Sequence, residues 1–238
     1  MFSPISKWFP QGAGEEKGPG LHVIPPSVRH FLYQATRTAL LPATSFYGSH
    51  FGMGYWRMPA TLIATRPDAG EYDPYYDRYI SLIPIPDVLS TLSRQIKETL
   101  DVLSDLTEEE SNFRYAPDKW SIKELVGHVI DTEQIMAYRA LRIARNDKTP
   151  IEGFEQDDYV RYGPFSQCRL KDLLEEFGYV RNGTLCLLRN LNAEAWMRRG
   201  VAYNNEISVR ALAYVIAGHE LHHRSVLRDR YLSVMKRS

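Results

Sequence analysis

Four segments of the chain carry apolar side chains at alternating spacings of three and four residues, and this pattern constrains the fold more than any other feature. It is the pattern of a helix that buries one face. The segments begin near residues 86, 121, 166 and 208, and each is some 20 residues long. Four amphipathic helices of that length predict an all-α fold, a four-helix bundle.

Local signals indicate where these helices begin. Ser121 can cap the backbone amide of Glu124 while the Glu124 carboxylate reaches back, a capping box that starts the second helix. Ser166 and Ser208 stand in the same position before the third and fourth periodic segments. The predicted helices cover about 86–107, 121–145, 166–191 and 208–232.

About 20 residues, 146–165, separate the second and third predicted helices. A connection of this length is more typical of a crossover, or of a loop that covers a site, than of a simple up-and-down bundle. The predicted fold is therefore a four-helix bundle with a long crossover between its second and third helices.

Residues 1–75 show no sustained periodicity and are broken repeatedly by proline. We expect an irregular or disordered N-terminal extension over 1–75 and the bundle domain over 76–238. Met53 and Met58 stand shortly before the organised sequence begins. They suggest an over-extended start, in which residues 1–57 do not belong to the native protein.

Two histidines of the fourth helix, His219 and His223, fall within about 20° of the centre of its apolar stripe. Burying two imidazoles one turn apart is costly unless their nitrogens find partners, and a single metal ion would satisfy both. The alternative is a hydrogen-bonded pair of core histidines. His222 lies about 80° away and is expected at the boundary of the stripe, not as a ligand.

Residues 219–223, HELHH, also match the H-E-x-x-H pattern of zinc peptidases, in which Glu220 would be the general base. Such a site needs a third ligand downstream, and after His223 only Asp229 is available. Asp229 would lie about 240° around the helix from His223, on another face. The spacing therefore disfavours a peptidase.

The sequence resembles the DinB/YfiT-like family over about 150 residues, on four blocks whose order and spacing make the match specific. The first three blocks are W-S-I-K-E-L-V-G-H (120–128), D-T-E-Q-I-M-A-Y-R (131–139) and D-K-T-P-I-E-G-F-E-Q-D-D-Y (147–159). The fourth combines I-S-V-R-A-L (207–212) with G-H-E-L-H-H-R (218–224).

The resemblance implies a bundle that holds one divalent metal on His128, His219 and His223. His128 enters from the resemblance alone, because periodicity places it about 120° from the centre of its helix's apolar stripe. Nickel or zinc is the expected metal, and iron or manganese would also accept imidazole ligands. Family members with known activity are mostly thiol-dependent transferases or isomerases, and others are described as metal-dependent hydrolases.

Three charged residues near these ligands are weak candidates for catalysis. Asp131 and Glu220 could orient an imidazole, or could be solvated charges on a helix face. Arg139 could contact an anionic group of a substrate, although a surface charge is the preferred interpretation. Aspartates 157 and 158 and Tyr159, on the crossover, could line the mouth of the site.

The composition limits the classes of binding partner and the cellular compartment that we expect for this protein. The 29 basic and 29 acidic side chains balance, so we expect no nucleic acid and no anionic membrane as a partner. Cys168 and Cys186 are assigned to one helix, about 27 Å apart, where they cannot bridge. Free thiols, with no signal-peptide core and no long apolar run, indicate a cytoplasmic protein. A homodimer is left open.

Three functions remain compatible with this sequence. The first is a metal-dependent S-transferase that joins a small-molecule thiol to an electrophile. The second is a metal-dependent hydrolase that activates water at the same site, and the third is a non-catalytic metal-binding stress protein.

Overall fold

A computed structural model describes residues 65–84 and 87–235, all of which lie in one compact unit, Gly54–Ser238. Two 3-10 turns (Ala69–Glu71 and Pro74–Tyr76) lead into a short helix, α1 (Asp77–Ile80). The elements that follow are α2 (Val88–Leu103), α3 (Glu108–Ser111), α4 (Ile122–Ala144), α5 (Gln156–Tyr162), α6 (Leu170–Arg189), α7 (Ala193–Met197), β1 (Arg199–Ala202), β2 (Asn205–Ser208), α8 (Val209–Val226), a π-helical segment (Leu227–Leu232) and α9 (Ser233–Met235).

The long helices α2, α4, α6 and α8 form a four-helix bundle, which confirms the predicted fold class. Both α2 and α4 pack against α6 and α8, so the first two helices of the bundle lie on one diagonal. No helix within 65–84 or 87–235 is long and apolar enough to cross a membrane.

The predicted starts of the second and fourth bundle helices are confirmed. The Ser121 hydroxyl accepts a hydrogen bond from the Glu124 amide at 3.2 Å, and the Glu124 carboxylate accepts one from the Ser121 amide at 2.7 Å. The Ser208 hydroxyl accepts one from the amide of Ala211 at 2.9 Å. Local capping chemistry thus fixes both helices that carry the histidines.

The predicted start of the third helix at Ser166 is wrong, because α6 begins at Leu170. The Pro164 carbonyl accepts from the Gln167 amide at 2.8 Å and forms a turn where the helix was expected. The first amide of α6 is capped instead by the Glu108 carboxylate of α3, at 2.8 Å from Leu170 N. Cys168 therefore precedes α6 and does not share a helix with Cys186, and both thiols are free.

The first bundle helix also ends earlier than predicted, at Leu103 instead of near Thr107. Thr107 is the N-cap of α3, where its hydroxyl accepts from the Glu110 amide at 3.2 Å and the Glu110 carboxylate accepts from the Thr107 amide at 2.8 Å. A residue that caps the next helix cannot continue the one before it.

Part of the segment assigned to the N-terminal extension packs on the bundle. Glu71 is buried, and its carboxylate pairs with Arg210 of α8 and accepts a hydrogen bond from the Ser208 hydroxyl at 2.7 Å. Burial alone would raise the pKa of Glu71, but the bonds from Arg210 and Ser208 lower it overall. Residues 1–64, with the hypothesis about Met53 and Met58, lie outside the described residues.

The long connection between the second and third bundle helices runs from Arg145 to Arg169 and contains α5. It is held by a short hairpin, in which β1 pairs antiparallel with β2. The Ile151 amide donates to the Val201 carbonyl at 3.0 Å, and the Tyr203 amide donates to the Ile151 carbonyl at 2.9 Å. These bonds place the connection beside α4, where it closes one side of a cavity.

Candidate metal centre

Three imidazoles from two helices meet inside the bundle. His128 lies on α4, and His219 and His223 lie one turn apart on α8. Nε2 of His219 is 3.1 Å from Nε2 of His128 and 3.1 Å from Nε2 of His223. Among the described residues these three form the cluster that could hold a metal ion, with ligand atoms within 4.8 Å of one another.

The short contacts at His219 fit a shared metal better than they fit hydrogen bonds. A neutral imidazole nitrogen has either one N–H or one lone pair, so Nε2 of His219 cannot make good hydrogen bonds to both neighbours. Two nitrogens that each lie about 2.1 Å from one ion are at most about 4.2 Å apart. The two separations that involve His219, both 3.1 Å, satisfy that limit.

Burial keeps these imidazoles neutral. It lowers the pKa of His128 to about 4 and the pKa of His223 to about 3, with smaller contributions from neighbouring histidines. Burial also lowers the pKa of His219 well below its usual range. Neutral imidazole is the form that binds a metal, so at neutral pH the three side chains are ready to act as ligands.

Aromatic side chains surround the imidazoles. The Trp120 ring lies 4.8 Å from the ring of His128, and the Tyr79 ring lies 5.3 Å from the ring of His219. His222 contacts Tyr79 and His223 edge-on and stays outside the cluster, as the helical spacing predicts. Sequence reasoning did not identify Tyr79, because its contact with His219 joins segments 140 residues apart.

His128 and His219 lie on the wall of a cavity of about 460 Å³. The α4 face that carries His128 continues along the cavity at intervals of four, four and three residues, through Thr132, Met136 and Arg139. His219 of α8 lies on the same cavity, whereas His223 lines an outer groove with His222. A small molecule in the cavity would therefore reach His128 and His219.

Glu220, which would be the general base in a zinc peptidase, is buried in the core. Its carboxylate forms an ion pair with Arg181 at 2.7 Å and accepts a hydrogen bond from the Thr99 hydroxyl. Glu220 is 2% exposed, so the interpretation as a solvated charge is also wrong. The other residue considered for a peptidase site, Asp229, pairs with Arg228 at 2.8 Å on the surface.

The other two charged candidates occupy different environments. Asp131 is absent from the cavity wall, and burial together with the nearby Glu176 carboxylate raises its pKa to about 6. Arg139 lines the cavity and is 2% exposed, so the preferred interpretation as a surface charge is wrong. Of the crossover residues, Asp157 lines the cavity, while Asp158 pairs with Arg161 at 2.9 Å.

Comparisons with known proteins agree with this architecture. The sequence profile of the DinB superfamily matches residues 91–227. A curated protein of Oceanobacillus iheyensis, named "Putative metal-dependent hydrolase", is 27% identical over 137 residues, which are 57% of this chain and 76% of the relative.

The fold is also similar to a solved structure. YfiT from Bacillus subtilis, described as a probable metal-dependent hydrolase with an unusual four-helix bundle topology, matches with a TM-score of 0.53. The match covers 71% of this chain and 95% of that one, and the two sequences are 15% identical. This likeness supports the bundle topology and no more.

Proposed function

The chain belongs to the DinB superfamily, and we propose that it is a metal-dependent enzyme that transfers a low-molecular-weight thiol to an electrophile. The observation that carries this proposal is the convergence of three neutral imidazoles, two of which line a cavity of about 460 Å³. His128, His219 and His223 would hold one divalent ion and leave at least one position free for a ligand. A bound ion would lower the pKa of a thiol that reaches it.

Thiol transfer is favoured over hydrolysis by what surrounds the histidines. Activation of water at a metal centre commonly uses a carboxylate base, and the carboxylate next to His219, that of Glu220, is tied to Arg181 and Thr99. A thiol has a much lower pKa than water, so ionising it at neutral pH needs no additional base.

The surrounding side chains would keep the site dry and the ligands in place. The rings of Trp120 and Tyr79 contact those of His128 and His219 and would limit the access of water to these imidazoles. The cavity would hold the electrophile between α4 and the 145–169 connection. Imidazole ligands suit nickel and zinc, and they also accept iron or manganese.

Hydrolysis is the second candidate, because the relative from Oceanobacillus iheyensis carries the name of a metal-dependent hydrolase. A hydrolase would act on an ester or amide without added thiol, and its rate would rise with pH through the pKa of a metal-bound water near neutrality.

One preparation of metal-loaded protein can test both candidates. We expect a metal-dependent rate with monochlorobimane or a chlorinated nitroarene in the presence of bacillithiol, mycothiol, glutathione or cysteine. His219→Ala should abolish that rate, and His222→Ala, the matched control on the same helix, should retain it.

If no thiol gives a rate above the His219→Ala background and an ester or amide is cleaved, the hydrolase assignment replaces the transferase. Bound metal with neither activity would instead indicate a non-catalytic metal-binding protein.

A further inference from the structure

Arg139 places a buried positive charge on the cavity wall, on the same face of α4 as His128. We infer that Arg139 binds a carboxylate of the small molecule that occupies this cavity. This inference rests on the proposed function and adds to it a substrate class: an elongated, singly charged carboxylate whose other end reaches the histidine centre.

The guanidinium of Arg139 has unused hydrogen-bond capacity. Of its five N–H donors, one at Nη2 bonds the Glu152 carbonyl at 2.9 Å, another bonds the Tyr76 hydroxyl, and Nη1 has a weak contact with the Met136 sulfur at 3.7 Å. Nε is buried without a hydrogen-bond partner. A planar guanidinium with free donors is suited to bidentate recognition of a carboxylate.

Arg139 also lacks the counter-ion that the other buried arginines have. Arg181 pairs with Glu133 and Glu220, and Arg210 pairs with Glu71. Within residues 65–84 and 87–235, no carboxylate lies within ion-pair distance of Arg139. A buried charge without a counter-ion is costly, and the Phe154 ring, whose centre lies 5.9 Å from the guanidinium carbon, and the Tyr76 hydroxyl offset only part of that cost. A ligand carboxylate would supply the missing partner.

The position of Arg139 sets the shape of the ligand. Arg139 lies eleven positions after His128, about 16 Å along the axis of α4, and the arginine side chain leans back toward the N-terminus of the helix. Between them lies Thr132, whose hydroxyl is buried without a hydrogen-bond partner. The ligand therefore extends along α4 from the histidines past Thr132 to Arg139.

The rest of the wall favours a single negative charge. Asp73, Glu155 and Asp157 line the same cavity and would repel a dianion such as a phosphate monoester. A carboxylate carries one charge and fits the guanidinium fork, so it is the anion that this wall best accommodates.

A matched pair of probes tests this inference on the metal-loaded protein. Suberic acid monohydroxamate has a metal-binding head and a terminal carboxylate, and the comparison compound replaces that carboxylate with a carboxamide. We expect calorimetry to show about 10-fold tighter binding, or more, for the carboxylate, as expected for a charge-assisted hydrogen bond. Arg139→Gln should remove the preference, and Arg142→Gln, on the same helix, should keep it.

The outcomes separate the two proposals. Equal binding of both probes to the wild-type protein would overturn the carboxylate subsite and leave the metal centre intact. If neither probe binds, the open metal position fails, and octanoate against octanamide on the metal-free protein decides Arg139 by itself. A preference for octanoate that Arg139→Gln removes would support the subsite, and no preference would overturn it.

Circular dichroism and metal content would verify that Arg139→Gln is folded and loaded. If that variant does not fold, Arg139→Lys provides the second test, because lysine keeps the positive charge but lacks the paired N–H donors of the guanidinium. We expect Arg139→Lys to show a weaker preference for the carboxylate than the wild type. An unchanged preference would overturn bidentate recognition.

Discussion

Replacing Gly218 with alanine should destabilise the protein, although alanine is the better helix former. Gly218 lies on α8, directly before His219, where α1 crosses the helix. A Cβ at this position would lie 2.1 Å from the carbonyl oxygen of Tyr79 and 2.4 Å from its carbonyl carbon. Both are backbone atoms, so no side-chain rotation relieves the clash.

The magnitude follows from two opposing effects. Alanine gains about 0.8–1.0 kcal/mol over glycine in a helix interior. An ordinary Cβ contact begins near 3.4 Å, so the Tyr79 backbone would have to move by about 1.3 Å (3.4 − 2.1). Forcing an extra methyl group into a packed site costs about 1–3 kcal/mol or more. Because the clash is with backbone atoms, we expect the upper part of that range, about 2–3 kcal/mol, and therefore a net loss of about 1–2 kcal/mol in the free energy of unfolding.

Gly178→Ala is the matched control. It lies inside α6, and no atom comes within 4 Å of the position that its Cβ would occupy. We expect this variant to gain about 0.5–1 kcal/mol from helix propensity alone. The two glycine-to-alanine changes should therefore shift stability in opposite directions.

Urea unfolding followed by circular dichroism at 222 nm would measure both variants. In thermal unfolding, the loss expected for Gly218→Ala should lower the melting temperature by about 2–8 °C. If Gly218→Ala is as stable as Gly178→Ala, α1 does not pack on α8 as described. Tyr79 would then not cover His219, and the cavity would lack one wall.

Three further predictions concern the histidines and two buried charges. His223→Ala should lose the bound metal and His222→Ala should keep it, as measured by elemental analysis; equal loss from both would make His222 a ligand as well. Arg181→Met removes the counter-ion of two buried carboxylates and should lower the free energy of unfolding in urea by about 3–5 kcal/mol. The exposed Arg189→Met should lower it by less than about 0.5 kcal/mol. A loss below about 1 kcal/mol would contradict the buried ion pairs. Burial and a neighbouring carboxylate raise the folded-state pKa of Asp131 to about 6. Ionisation of Asp131 therefore lowers the free energy of unfolding as the pH rises from about 4 to 6. Asp131→Asn should thus stabilise the protein by about 1 kcal/mol at pH 8, after allowance for partial exposure, and the gain should vanish toward pH 4. A gain independent of pH would refute this assignment.

Periodicity predicted the histidine pair of α8 but not its partner on α4. Apolar and polar side chains alternate around a helix only when one face is buried, and residues 125–130 of α4 are all buried. Phe165 of the connection packs close to Gly127, with ring atoms 2.3 Å from where a Cβ would lie, and belongs to the same buried apolar cluster as Val126 and Val129. His128 lies within this buried stretch and packs against Trp120 and His219, so no exposed face of α4 sets it apart, and only the family resemblance placed it at the site.

Several errors in the sequence prediction have one physical cause, which is pairing between distant residues. The start of α6 depends on Glu108, 62 residues away in sequence, and no local signal encodes that cap. Arg139, Arg181 and Glu220 are charged and would be assigned to the surface by any hydrophobic pattern. Their burial depends on partners, or on a cavity, that only the tertiary structure supplies.

One buried guanidinium connects all four helices of the bundle. Arg181 of α6 bonds the Glu133 carboxylate of α4 at 2.8 Å and pairs with Glu220 of α8 at 2.7 Å. Its Nη1 also donates to the Leu92 carbonyl of α2 at 3.1 Å. Gln95 of α2 extends the network, because its amide donates to the Ala217 carbonyl of α8 at 2.8 Å.

This network lies beside the residues that carry the histidines, which explains why a charged core serves this protein. Glu133 follows His128 by five residues on α4, and Glu220 directly follows His219 on α8. Fixing these carboxylates to one guanidinium fixes the separation of the two ligand-bearing helices. An apolar core of the same volume is often more stable than a buried ion pair, but its packing is less directional. Metal ligands must be held within about 0.5 Å of their working geometry, and directional bonds between α4 and α8 meet that requirement better than apolar contacts alone.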